Sequence, residues 1–182
     1  MRVAMVYESV FGNTREVAEA IAEGIRETAP QASVECWPTA EATSDLGKAD
    51  LLVVGGPTHF LGLPSPRSRR LQHQQEDQGA WHHAEDEPAE PPGVREWLES
   101  MPVVRGRHAA AAFDTRLGKL MAGSAARQIT RMLRHHGYKV VDRPQGFVVE
   151  DYAGPLAEGE RDRARAWGIT LAGQLQAGAA TA

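Results

Sequence analysis

Three short stretches hold residue types suited to gripping an anionic ligand. The first is Ser9-Val10-Phe11-Gly12-Asn13-Thr14. It has hydroxyls at its ends, a glycine inside and a helix starting at its far side. Main-chain N–H groups at a helix N-terminus, the helix macrodipole and nearby hydroxyls together make a phosphate site. The plainer role open to the same residues is that Thr14 or Asn13 caps the helix. The stretch lacks the Gly-Lys-Ser/Thr of a P-loop and the G-x-G-x-x-G dinucleotide fingerprint. The second stretch is Gly55-Gly56-Pro57-Thr58-His59-Phe60, running on to Gly62. The third is Phe113-Asp114-Thr115-Arg116.

Each stretch follows a strand candidate. Residues 1–7 are apolar except Arg2, which predicts a strand buried on both faces and hence a parallel sheet. Val17, Ile21 and Ile25 then recur every fourth residue with Arg and Glu between them, an amphipathic helix that Pro30 stops. Residues 33–37 and 51–54 predict the second and third strands, and 94–101 a short helix carrying Trp97 and Leu98. The four alanines within 108–113 favour a helix by propensity. The run is short, however, and small residues suit a central strand crowded by helices, so a fourth strand is expected there. A helix over 124–138 follows, with Gly137 ending it. Residues 140–141 and 147–149 predict a last strand broken around Pro144 and Gly146, and a final helix covers 158–176. Alternating strands and helices give a parallel sheet with helices on both faces, joined by right-handed crossovers. A ligand then belongs at the carboxyl ends of the strands, in the loops at 8–14, 57–62 and 114–118.

Composition narrows the classes further. The chain has 182 residues and a net charge of −4, enough for one domain with its own core, so residues 1–182 are expected to form a single domain. The single cysteine, Cys36, excludes a disulfide framework and a Cys-based zinc site. No apolar run is long enough to span a membrane, and the N-terminus lacks a signal peptide. The charge balance gives no pull toward nucleic acid or an anionic membrane. A cytoplasmic protein is the expectation. Residues 64–93 break the pattern. They hold five of the eleven prolines and little apolar content, begin basic at Arg67, Arg69 and Arg70, and end acidic at Glu85, Asp86, Glu87 and Glu90. They are expected to form a polar surface insertion.

The three stretches, in this order and on this strand–helix pattern, resemble the flavodoxin family. Val6 to Thr14 with Ala18 and Ile21 looks like its signature, Gly55 to Phe60 like its second flavin loop, and Phe113 to Arg116 falls where the third loop belongs. The resemblance implies an α/β, flavodoxin-like doubly wound sheet of five parallel strands in the order 2-1-3-4-5. It implies non-covalent FMN. Ser9, Gly12, Asn13 and Thr14, with Val10 and Phe11 between them, would hold the phosphate. Pro57, Thr58, His59, Phe60 and Gly62 would lie along the ring, and Asp114, Thr115 and Arg116 would close the other side. The protein would shuttle electrons between partner proteins, a reductase and an acceptor, as a monomer or homodimer. No side chain would act as catalyst, because the chemistry belongs to the flavin.

The chain departs from the family pattern in places. Phe11 stands where a further Ser or Thr is usual, and the loops offer no Trp and Tyr pair to sandwich the ring. Arg116 beside the flavin would favour an anionic reduced form and so a higher potential. The aromatic in the first loop and the Pro-Thr-His-Phe second loop also resemble flavodoxin-like NAD(P)H:quinone oxidoreductases, which take NAD(P)H and a quinone as substrates. That enzyme is the alternative function. A flavin-free binding module, such as a receiver domain, is a third, set against it by Glu8 standing alone where an acidic pair is needed. Other residues carry plainer expectations. His82-His83 cannot share a helical face and are not expected to bind metal. Cys36 is expected as a small residue of the second strand, and Trp97 and Trp167 as core. His135-His136 suit a helix C-terminus. Trp81 either anchors the insertion or faces a partner.

Overall fold

In the computed structural model, the described residues are 1–58, 62–64, 92–105, 108–118, 123–151 and 153–180. Most of the expected insertion, with Trp81, His82, His83 and Arg67, Arg69 and Arg70, lies outside them, as do His59 and Phe60 of the second loop.

The apolar run at the N-terminus forms β1 (Arg2–Tyr7), and the fourfold Val17-Ile21-Ile25 spacing forms α1 (Asn13–Thr28). β2 (Ser33–Pro38), a 3-10 turn (Ser44–Lys48) and β3 (Leu51–Pro57) follow. Then come α2 (Val94–Ser100), β4 (Ala109–Leu117), α3 (Ala125–His135), β5 (Lys139–Val140), β6 (Gln145–Val149) and α4 (Glu160–Ala180). The strands pair in parallel in the order β2-β1-β3-β4-β5, with β6 also paired to β4. The expected order 2-1-3-4-5 is therefore present, and the last strand is split in two, both pieces lying along β4. Gly137 takes φ +89 just past the end of α3, the left-handed position that favours glycine.

Alternation along the strands divides the core into two. Val3, Met5, Val53 and Phe113 face Ile21, Ile25 and Trp167 of α1 and α4. Ala4, Val6, Leu52 and Val54 face Trp97, Leu98, Ile129 and Leu133 of α2 and α3. Each fully buried Ile, Leu or Val contributes about 1.5–3 kcal/mol. The polyalanine run is a strand after all: Ala110, Ala111 and Ala112 are fully buried between the two helical layers. Side-chain size set by close helices overrides intrinsic propensity here. Trp97 and Trp167 are core as expected, and Cys36 is half-buried in β2.

One boundary differs from expectation. Residues 114–118 were expected as a loop, but β4 runs through to Leu117. The reason is its neighbour. Phe147, Val148 and Val149 of β6 pair with Thr115, Arg116 and Leu117, so the chain keeps a hydrogen-bonding partner beyond the point where β3 ends.

Candidate functional site

At the carboxyl ends of the strands, three helices begin beside one another, and their first turns are treated differently. An α-helix leaves its first N–H groups without internal acceptors. In α3 these groups are satisfied in sequence. Thr58 Oγ1 accepts from Ala125 N–H at 2.9 Å, Asp114 Oδ2 from Ala126 N–H at 2.9 Å, and Ser124 Oγ from Arg127 N–H at 3.2 Å. The Ser124 hydroxyl in turn donates to Asp114 Oδ2 at 2.7 Å. In α2, Glu8 Oε2 accepts from Val94 N–H at 2.9 Å, and Glu96 Oε2 accepts from Gly93 N–H at 2.9 Å. Two carboxylates of the sheet edge, Glu8 and Asp114, thus sit at the positive ends of α2 and α3, where the macrodipole favours them. Both are buried.

α1 starts otherwise. Its N-cap is Gly12 at φ +89, which has no side chain to cap with, and a Cβ there would meet nothing within 4 Å. Ser9 Oγ accepts from Arg15 N–H at 3.3 Å. The N–H groups of Asn13 and Thr14 meet no acceptor among the described residues. They open onto a cleft of about 50 Å³. Ser9, Val10, Phe11, Asn13 and Thr14 form one wall, Pro57 and Thr58 another, and Thr115, Arg116, Leu117 and Val149 the third. Among the described residues, this lining contains one cation and no carboxylate.

The three expected stretches therefore converge, but not with every side chain at the cleft. Alternation along β4 decides which ones reach it. Thr115 lies on the α1 face, where its Oγ1 is 2.9 Å from Thr14 Oγ1 in a buried hydrogen bond. Asp114 lies on the opposite face, fully buried beneath α3, with Oδ1 3.6 Å from Arg116 Nε. Its carboxylate is engaged by α3 and does not line the cleft. Gly62 sits against the Gln128 side chain, whose Oε1 accepts from Leu63 N–H at 3.0 Å. Asn13 lines the cleft while its Nδ2 donates to Ala153 O at 3.1 Å, which ties α1 to the segment before α4. Val149 lies outside the expected loops, and Leu117 falls within the 114–118 stretch without having been singled out. Their signal is the β4–β6 pairing, which no local sequence pattern reveals.

Among the described residues, no group of His, Cys, Asp and Glu could hold a metal ion, and no helix is long and apolar enough to cross a membrane. Burial raises the Cys36 thiol above its ordinary value, which leaves it a poor nucleophile.

Residues 4–76 match a family model described as a flavodoxin domain. No curated protein matches the chain by sequence. Solved structures share its fold over almost its whole length. A flavodoxin from the domain Archaea is 20% identical, with 97% of this chain and 99% of that one covered and a TM-score of 0.63. Flavodoxin 1 from Bacillus cereus is 18% identical, with 96% and 97% covered and a TM-score of 0.63. The Flv1 flavodiiron core from Synechocystis is 17% identical over 98% of this chain but only 36% of its own, with a TM-score of 0.62. With the domain match spanning the first two loops and the fold shared from end to end, the resemblance of this chain to the flavodoxin family is borne out.

Proposed function

We propose that the chain binds FMN, with the phosphate at the start of α1, and carries electrons between redox partner proteins in the cytoplasm. The observation that carries this reading is the open first turn of α1, set beside two neighbouring helices whose first turns are closed by the protein's own carboxylates. The donor set suits a phosphate. It comprises the N–H groups of Asn13 and Thr14, the hydroxyls of Ser9 and Thr14, and the open space at Gly12, with no carboxylate among the described lining residues to repel an anion. The residues present therefore fit the group.

FMN supplies the redox chemistry when bound. The chain's own residues bind and orient it. Ser9, Gly12, Asn13 and Thr14 take the phosphate, with Val10 and Phe11 forming the lip of the same wall. Pro57 and Thr58 lead into the second loop, where His59, Phe60 and Gly62 belong to the ring side of the reading. Thr115 and Arg116 close the far wall. Arg116 is one-third exposed, so its cation can approach a ligand without full burial. Asp114 contributes by holding α3 rather than by contact.

The test is a titration of the apoprotein with FMN and with riboflavin, followed by flavin fluorescence. FMN is expected to bind and riboflavin to bind more weakly, because riboflavin lacks the phosphate. A protein that takes up neither refutes the flavin reading in favour of a flavin-free module. Loaded protein mixed with NADPH and a benzoquinone then separates carrier from enzyme. Rapid turnover without an added reductase would replace the carrier by an NAD(P)H:quinone oxidoreductase.

A further inference from the structure

The hydrogen bond between Thr14 and Thr115 joins the first and third stretches across 101 positions of sequence. Both side chains are almost wholly buried, Thr14 at 2% and Thr115 at 5% exposure. Each hydroxyl owns one hydrogen, so only one of the two can donate within the pair. We infer that Thr115 is a positioning residue: its hydroxyl donates to Thr14 Oγ1, which aims the single hydrogen of Thr14 at an anion in the cleft. The inference deepens the phosphate assignment above and rests on it.

The geometry supports that direction. Thr14 lines the cleft at the open first turn of α1, where an anion finds N–H donors and, among the described residues, no competing carboxylate. A Thr14 hydroxyl that spent its hydrogen on Thr115 would turn a lone pair toward that anion, which is repulsive. With Thr115 as donor, the order runs from Thr115 O–H to Thr14 O–H to the anion, and each bond polarises the next. Without Thr115, no group of the described residues fixes the rotation of the Thr14 hydroxyl. Thr115 itself is held in register by β3 and β6, with Thr58 N–H donating to its carbonyl at 2.8 Å. The orienting group is therefore fixed to the sheet, while the oriented group belongs to the helix that receives the ligand.

The experiment compares T115V and T115S in apoprotein titrated with FMN and with riboflavin. T115V is expected to weaken FMN binding by about 3–10-fold, the value of one neutral hydrogen bond, since Thr14 keeps its hydroxyl and loses only the group that aims it. Riboflavin binding should fall by less than FMN binding, because only FMN also loses the aimed phosphate contact, and T115S should restore the FMN preference. A T115V loss shared equally by FMN and riboflavin, or an unchanged ratio, overturns the positioning role. Additivity of T115V and T14V in a double-mutant cycle overturns it as well. If T115V does not fold, the parent protein decides. The Thr115 hydroxyl proton, buried and slow to exchange, should shift downfield in the NMR spectrum on addition of FMN, and an unmoved resonance overturns the proposal. A parent protein that binds no FMN at all refutes the phosphate reading instead, so the two failures are distinct.

Discussion

Replacing Asp114 by Ala and by Asn separates a structural carboxylate from a ligand-binding one. Asp114 is fully buried, and its Oδ2 accepts from Ala126 N–H at 2.9 Å and from the Ser124 hydroxyl at 2.7 Å. In D114A the Ala126 N–H is left buried without an acceptor, which costs about 1–3 kcal/mol. The first turn of α3 also loses a capping carboxylate, a typical loss of about 1 kcal/mol. The Ser124 hydroxyl is only partly buried and can turn to water, and the contact to Arg116 at 3.6 Å is partly solvated, so both add little. The sum is about 2–4 kcal/mol, a large share of the 5–15 kcal/mol that holds a typical domain together. At a urea dependence near 2 kcal/mol/M, the unfolding midpoint should fall by about 1–2 M. D114N should be much milder. Its amide oxygen in the Oδ2 place can still accept from Ala126 N–H and the Ser124 hydroxyl, while its NH2 takes the Oδ1 place beside Arg116, so about 1 kcal/mol of charge assistance is lost. The ratio of FMN to riboflavin affinity should stay at the parent value in both variants, because the carboxylate faces away from the cleft. A D114A midpoint indistinguishable from the parent would refute the capping account. A D114N as unstable as D114A would refute the claim that hydrogen-bond geometry, rather than charge, is what α3 requires.

Other perturbations give sharper or opposite signs. T14V should weaken FMN binding by about 1–3 kcal/mol in a fluorescence titration, since a charged acceptor loses its donor. S9D keeps an acceptor for Arg15 N–H but places a carboxylate at the start of α1. It should raise apoprotein stability by about 0.3–1 kcal/mol while lowering FMN affinity, and a variant that gains stability yet keeps its FMN preference would count against the anion site. G168A should destabilise by at least about 1–3 kcal/mol in thermal melts, because a Cβ there overlaps the Ile21 carbonyl of α1 and backbone cannot step aside. Tyr138 is buried, donates to Gly47 O at 2.9 Å, and is pushed up to about 12 by burial. The unfolded chain then releases this proton first, from about pH 10. The stability Tyr138 contributes is complete below that pH and drains away as pH rises toward about 12. Y138F should flatten this alkaline decline in urea melts taken between those limits.

The sheet and its helices were legible because their signals are local. Val17, Ile21 and Ile25 mark a helical face, residues 51–54 a buried strand, and Gly137 a helix end, each within a few positions. Even the broken last strand could be read from Pro144 and Gly146. The meeting of three loops at one cleft was legible in outline, through their order. What escaped depends on partners far along the chain. β4 continues to Leu117 only because β6 arrives some 30 residues later to pair with it. Asn13 bonds Ala153, and Thr14 bonds Thr115, at separations of 140 and 101. The turning of Asp114 away from the cleft was within reach. Once 109–117 is a strand, buried Phe113 on the α1 face puts Thr115 beside it and Asp114 opposite. Treating 114–118 as a loop removed that constraint.

The two faces of the sheet use the same physics to opposite ends. Three helix N-termini converge on one edge, and each presents a partial positive charge and unsatisfied N–H groups. On the α2–α3 face, Glu8 and Asp114 neutralise both at the level of the sheet, and Thr58 and Ser124 complete α3. On the α1 face the sheet contributes Tyr7 and Thr115 at the matching positions, and neither carries a charge that could neutralise the helix. A hydroxyl can orient a neighbour but cannot cancel a dipole. The field that remains is therefore concentrated at the start of α1, beside Arg116 of the cleft. An anion entering from solvent meets its own sign at two of the three helix ends and an open donor set at the third. In the proposed FMN site, the choice of phosphate loop therefore follows from which strand ends carry carboxylates as well as from the glycine and hydroxyl pattern of residues 9–14.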